Sequence, residues 1–358
     1  MRQQAIALTE PGRLTAIPDT VPSPNEGEAR VRIRTIGVCG TDIHAFHGRQ
    51  PFFEYPRILG HELAAEIVEL NGPSELKPGQ LVAVEPYLND PTSPASQKGK
   101  TNCCENLQVL GVHCDGGMRP QINVPTHKLH PAKTATPDQL ALVEMLSIGC
   151  HATHRSRAQE SDTALILGAG PIGLSVLSFL RNITKNIIVA DLSEDRLAFT
   201  REAFGVERTL IVNPEAKSWS EAFKPSQSKK PSQAKGNSPL LDSCGGNLPD
   251  LVFDATGHTG SMHTTFDLVA HGGTIIFVGL FQGEVTFHDP TFHRKEITLM
   301  SSRNATSAEM REVIEAVESG AVDTQPWITH RLALDEVPDL FEGTITDPEL
   351  RKAVIEVG

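Results

Sequence analysis

The spacing of apolar and polar positions divides the chain into two rhythms. Over the first 150 residues, short β-like runs at 29–36, 63–70 and 81–84 are separated by proline and glycine, and 4–8 reads as an opening strand. That pattern predicts a compact antiparallel β domain with little helix. Beyond it, short apolar strands at 164–167, 186–190, 209–212, 251–254 and 274–278 alternate with amphipathic stretches at 171–179, 194–204 and 261–269. Strand–helix alternation of this kind predicts β-α-β units and a parallel sheet. The last stretch, from about residue 293, adds a helix at 307–318 and a closing strand at 353–357. Pattern alone leaves open which domain it joins.

One segment breaks both rhythms. Residues 224–239 are Lys, Pro, Ser, Gln, Gly, Asn and Ala, and they repeat Pro-Ser-Gln at 225–227 and 231–233. Such a composition offers no core residue to offset its ordering entropy, so a flexible surface insert is expected around 224–247.

Bulk properties narrow the class. A length of 358 residues exceeds what one core usually supports, so two domains are expected, 1–150 and 151–292 with the tail to be placed. A formal charge of −12 argues against nucleic acid or an anionic membrane as partner, since both reward excess Lys and Arg. No apolar run approaches the roughly 20 residues that span a bilayer. The first residues lack a basic segment followed by an apolar core, so no signal peptide is expected. Six cysteines, irregularly placed, are too few for a disulfide framework, and a reducing cytoplasm is expected.

Gly168-Ala169-Gly170-Pro171-Ile172-Gly173 follows the apolar strand at 164–167 and opens a helix. In this context the first glycine permits the turn and the second lets the backbone approach a pyrophosphate. The third allows close helix–strand packing, and the helix N-terminus offers unpaired N–H groups. Asp191 ends the next strand, 23 residues after Gly168, where a carboxylate accepts from an adenosine ribose and repels an extra phosphate. NAD is therefore expected, with Arg196 a candidate to flank the adenosine.

Two short clusters carry metal chemistry. They are Cys39-Gly40-Thr41-Asp42-Ile43-His44 and Gly60-His61-Glu62. Thiolate, imidazole and carboxylate are the ligand types zinc prefers, and a catalytic zinc takes three protein ligands plus water. Taken singly, each residue has an ordinary structural explanation; two clusters within 25 residues, upstream of a dinucleotide motif, do not.

With these motifs the chain resembles the zinc-containing medium-chain dehydrogenases over essentially its whole length. It is most similar to their polyol, sugar-acid and threonine branch at Gly37-Val38-Cys39-Gly40-Thr41-Asp42, and to bacterial sugar-acid dehydrogenases at His293-Arg294-Lys295-Glu296-Ile297-Thr298 and Ser302-Arg303-Asn304-Ala305. The resemblance implies an α/β fold: a Rossmann doubly wound parallel sheet plus a GroES-like antiparallel β catalytic domain, to which 293–358 returns. It implies Cys39 and His61 as ligands of one catalytic zinc, with Glu62 a direct or switching ligand. Glu144, in Leu142-Val143-Glu144-Met145, matches the next ligand position, where simple alcohol dehydrogenases carry Cys and the polyol branch Glu. Thr41 and His44 match the proton relay. A small-molecule alcohol substrate and a homodimer or homotetramer are implied as well, with an exposed strand at 285–287 as the edge where nucleotide-binding sheets would join.

Two departures qualify the match. The positions of the family's second, structural zinc fall on Asp90, Ser93, Ser96 and Cys104, only one of them a thiol. Hydroxyls are poor substitutes for thiolates, so a metal-free lobe and no structural zinc are expected. Ala65 stands where the family has Gly three residues after the Glu, a change expected to be tolerated. Rival readings are an L-threonine 3-dehydrogenase, a zinc-free quinone or enone reductase, and a catalytically idle binding protein. The complete Cys39–His61 ligand set argues against the last two.

Overall fold

The computed structural model describes residues 2–50, 53–216, 221–225 and 238–358. Phe52 and residues 226–237 of the 224–247 insert lie outside the described residues. The chain divides into two compact units, 1–147 with 304–358, and 148–303.

The first unit is built on a seven-stranded sheet. Its path runs Leu129–Pro131, Leu81–Val84, Glu62–Asn71, Glu28–Gly37, Lys352–Glu356, Ile328–Ala333, with Gln121–Pro125 also pairing with Glu28–Gly37. All pairings but the last, Ile328–Ala333 with Lys352–Glu356, are antiparallel. Alternation in Glu28–Gly37 sends Ala29, Val31, Ile33 and Thr35 to one buried face. The register Gly37↔Glu62 and Gly37↔Val354 brings the ends of three strands together, and the candidate site lies there. Ala65 sits fully buried opposite Ile33 and Val82, so its methyl is ordinary core packing. The tail is held by its own contacts: Glu318, ending the helix Ser307–Glu318, accepts the N–H groups of Lys133, Thr134 and Ala135 at 2.6, 2.7 and 3.1 Å.

The second unit carries another seven-stranded sheet. Its order is Phe223–Pro225, Thr209–Val212, Asn186–Asp191, Thr163–Leu167, Leu251–Asp254, Thr274–Phe277, Thr298–Ser301. Apart from the antiparallel Phe223–Pro225 edge, every pair is parallel, and counted along the chain the parallel strands run 3-2-1-4-5-6. That is the doubly wound dinucleotide-binding order, whose ligand crevice opens where the order reverses, at the carboxyl ends of the central strands.

Two expectations need correction. The second unit extends to Arg303, not 292, because Thr298–Ser301 pairs in parallel with Thr274–Phe277. Residues 285–287 form no strand: Phe287 stacks on Phe266, with centroids 4.9 Å apart, and its ring also meets Phe292. The exposed edge is Thr298–Ser301.

Lys295 ties this unit together. Buried, it donates from Nζ to the carbonyls of Phe266, Asp267 and Val269 at 3.1, 3.0 and 2.8 Å, closing the end of the helix Thr259–Leu268. A cation there also meets the negative end of the helix dipole. Lys295→Met should cost about 1.5–3 kcal/mol, the range for charge-assisted bonds. Calorimetric unfolding checks this, and an unshifted Tm would show that the ammonium contributes nothing.

Candidate active site

The metal-type residues converge within the first unit. Cys39 precedes the helix Gly40–Phe46, and His61 and Glu62 lie at the start of Glu62–Asn71. Ligand atoms of Cys39, His61 and Glu62 all lie within 4.8 Å of one another, with His61 and Glu62 buried. The His61 loop is held by close backbone approach. Gly60 has φ +95°, Gly117 N–H donates to its carbonyl at 2.9 Å, and a Cβ on Gly111 would stand 2.9 Å from its nitrogen.

Asp42 links two of these residues. Its Oδ2 accepts the Cys39 N–H at 2.9 Å, and its Oδ1 faces His61 Nδ1 at 3.7 Å. That second separation is too long for a hydrogen bond, and both atoms are buried without one. A carboxylate behind the imidazole is the usual companion of a metal-ligating histidine. Lys352, buried on the closing strand, is ion-paired with Glu62. Glu144, near the start of the helix Val143–Ser156, stands outside the three-residue group, and its Oε1 accepts the Tyr87 hydroxyl.

The electrostatics suit a cation. Burial alone would lower His61, yet the Cys39 side chain and Asp42 carboxylate push it well above the ordinary imidazole value. Burial raises Asp42 and Glu144. Burial opposes the Lys352 charge, but Glu62, Cys39 and Glu144 together outweigh it and raise the ammonium. The donor set of thiol, imidazole and carboxylate, the orphaned His61 Nδ1 and the excess of anionic groups fit a zinc ion.

Room for that set depends on Gly37. A Cβ there would run into the Glu62 carboxylate, 2.9 Å from Glu62 Cβ and 3.1 Å from the Ala141 carbonyl. Gly37→Ala should displace Glu62 and weaken zinc binding about 10- to 100-fold, as other changes that disturb ligand support do. Competition with a chelator reads this out; wild-type zinc retention would exclude it.

Thr41 and His44 stand three apart on the helix Gly40–Phe46, hence on one face, with Thr41 half-buried and His44 exposed. Phe53 and Tyr55 are packed against the core, and the Tyr55 hydroxyl donates to the Ala45 carbonyl at 2.6 Å. Arg57 pairs with Asp115 at 3.4 Å. The lobe at Asp90, Ser93, Ser96 and Cys104 is hydrogen-bonded: Asp90 N–H to Cys104 Sγ at 3.3 Å, Ser93 Oγ to Ser96 Oγ at 3.0 Å, and Asn89 Nδ2 to Ser96 Oγ at 3.0 Å.

In the second unit, Gly168 has φ +96° and ends Thr163–Leu167. A Cβ on Gly170 would meet only Arg196 Nη1 at 3.9 Å, which leaves its backbone approachable. A Cβ on Gly173 would run into the Gly168 carbonyl. The helix Pro171–Leu180 begins with no side-chain cap, so its first N–H groups are available to a phosphate. Asp191 is buried; its Oδ2 accepts Ala169 N–H at 2.7 Å and its Oδ1 accepts Ser193 N–H at 2.8 Å. Carboxylate oxygens keep further lone pairs for ribose hydroxyls. Arg196 Nη1 lies 3.9 Å from Asp191 Oδ2.

Lys352 and Tyr87 are the site residues that the sequence reading missed. Neither sits in a motif; each reaches the centre only through strand pairing. Asp42 stood inside the quoted Cys39–His44 motif, three residues after Cys39, where a side chain can cap the helix, and that spacing was its available signal.

Together the two sheets and the thiol–imidazole–carboxylate centre define a nicotinamide-linked, zinc-type oxidoreductase. Residues 25–134 match the family model of the alcohol dehydrogenase GroES-like domain, and 171–319 match that of the zinc-binding dehydrogenases. The chain is 39% identical over 338 residues to L-galactonate-5-dehydrogenase of Escherichia coli K12, covering 94% of this chain and 93% of that one. A solved alcohol dehydrogenase from Escherichia coli CFT073 (rspB), complexed with NADH, superposes with TM-score 0.86 at 28% identity over 99% of both chains. A Sinorhizobium meliloti 1021 protein bound to NADP gives TM-score 0.85 at 25% identity, again over 99% of both. The chain belongs to the zinc-containing medium-chain dehydrogenase family, in its polyol and sugar-acid branch.

Proposed function

We propose that this enzyme oxidises a secondary hydroxyl of a sugar acid or polyol to a ketone. NAD takes the hydride, and one zinc is held by Cys39, His61 and Glu62. The buried convergence of those three side chains within 4.8 Å carries the reading. The 39% identity to an L-galactonate dehydrogenase favours an aldonic acid among possible alcohols.

When bound, zinc supplies Lewis acidity toward the substrate hydroxyl and nicotinamide supplies the hydride acceptor. The protein's own residues do the rest. Asp42 fixes the Cys39 backbone and backs His61. Lys352 partners the Glu62 carboxylate and keeps it from standing as an unbalanced buried anion. Thr41 acts as a relay, giving up its own proton as it accepts that of the substrate hydroxyl, and His44, one turn on and exposed, delivers a proton to solvent. Glu144 stands close enough to His61 and Glu62 to feel their charge and is held by the Tyr87 hydroxyl. Asp191 receives the adenosine ribose, and its negative charge disfavours the added phosphate of NADP.

None of the six cysteines is in a disulfide. Among the described residues, no helix is long and apolar enough to cross a membrane. The exposed strand Thr298–Ser301, with its unpaired edge, is the place where two copies would join as a dimer. Metal analysis of purified protein, followed by a panel of aldonic acids, polyols and L-threonine with NAD and NADP, tests the reading. One zinc per chain and NAD-linked turnover of an aldonic acid or polyol support it. Turnover of L-threonine alone, two zincs per chain, or a preference for NADP would each overturn the part it contradicts.

A further inference from the structure

The segment 85–89 is held more firmly than a surface strand requires. Lys128 Nζ donates to Glu85 Oε1 at 2.5 Å and to Asn89 Oδ1 at 2.8 Å, so one buried ammonium bridges both ends of the segment. The second Glu85 oxygen accepts from His130 Nε2 at 2.9 Å and Ser307 Oγ at 2.6 Å. Between the anchors, Tyr87–Leu88 pairs with Gln108–Val109. At the midpoint stands Tyr87, 2% exposed, with its hydroxyl donated to Oε1 of the buried Glu144.

The consequence concerns the count of ligands. Cys39, His61 and Glu62 already supply the three protein ligands of an open zinc site, and a fourth would close it. Glu144 carries the chemistry of a fourth ligand and stands beside that group. A buried carboxylate with a free oxygen is drawn to the nearest cation; one whose oxygen already accepts a phenol is held in place. We propose that Tyr87 is a positioning residue that holds Glu144 back from the metal, and that the Lys128 clamp fixes Tyr87 for this task. This rests on the zinc reading above. Its effect is to preserve the coordination position that the substrate hydroxyl must enter.

Cobalt(II) put in place of zinc reports coordination number through its visible spectrum, independently of turnover. In Tyr87→Phe the visible bands should weaken and shift as Glu144 joins the metal, and kcat should fall about 10- to 100-fold with a smaller change in KM. In a Glu144→Gln background, adding Tyr87→Phe should leave the cobalt spectrum unchanged, since the residue acts through the carboxylate. An unchanged spectrum in Tyr87→Phe, or the same spectral change in both backgrounds, overturns the proposal. A wild-type protein that takes up neither zinc nor cobalt overturns the zinc reading itself, and so is told apart from failure of the Tyr87 inference.

Discussion

Cys39→Ala will give a protein that binds NADH normally, holds no zinc and turns over at least roughly a thousandfold more slowly. A metal polarising the reacting oxygen contributes several kcal/mol to the barrier, and each 1.36 kcal/mol is tenfold in rate. The thiol is also the softest member of the ligand group, and two remaining ligands are too few for a catalytic zinc. The cofactor arm of the experiment separates causes. The Gly168–Gly173 turn and Asp191 lie on their own sheet in the second unit, so calorimetric titration with NADH should be unaffected. Wild-type turnover in a variant shown to be metal-free would end the mechanism proposed for this site.

Glu85→Ala will destabilise the first unit by about 3–5 kcal/mol, the usual cost of stripping the partner from a buried charge. Lys128 would be left with only Asn89, and His130 and Ser307 would lose an acceptor. The same carboxylate gives the pH dependence a sign. Burial alone would raise Glu85, but the bonds from His130, Lys128 and Ser307 outweigh it and hold it below the ordinary carboxylate value. A carboxyl lowered on folding stabilises the protein above its unfolded value, about 4.3, and that contribution is lost as pH falls through the folded value. Denaturant unfolding of wild type and Glu85→Gln should therefore show a gap at neutral pH that narrows in acid. A gap that widened as the pH fell would contradict this sign.

What the sequence made legible follows from how local each signal is. The strands at 81–84, 209–212 and 251–254 and the helices at 194–204 and 307–318 fall where the periodicity placed them, because each buries a face set by its own residues. Cys39, His61 and Glu62 were legible because they sit in two short motifs that the strand register brings together. Lys352 was not, since its meaning depends on a strand joining from the far end of the chain. Tyr87 was hidden similarly: nothing near Glu85–Asn89 announces a partner 57 residues away in Glu144. At 285–287 the resemblance suggested a joining strand, but the segment forms none, and Phe287 lies exposed against Phe266 and Phe292.

The pairing of Glu62 with Lys352 also sets an order of events during synthesis. The two residues are separated by 290 positions, and the whole unit 148–303 is made between them. That unit's sheet contains only its own strands, so it can fold as an insertion while its host still lacks two strands. Until Lys352 emerges, a nascent chain carries Cys39, His61 and Glu62 without the ammonium that balances their buried charge. The centre is thereby completed late: a ribosome-bound chain stalled before residue 352 holds the Glu62 carboxylate without its ammonium partner, and only the closing strand supplies it.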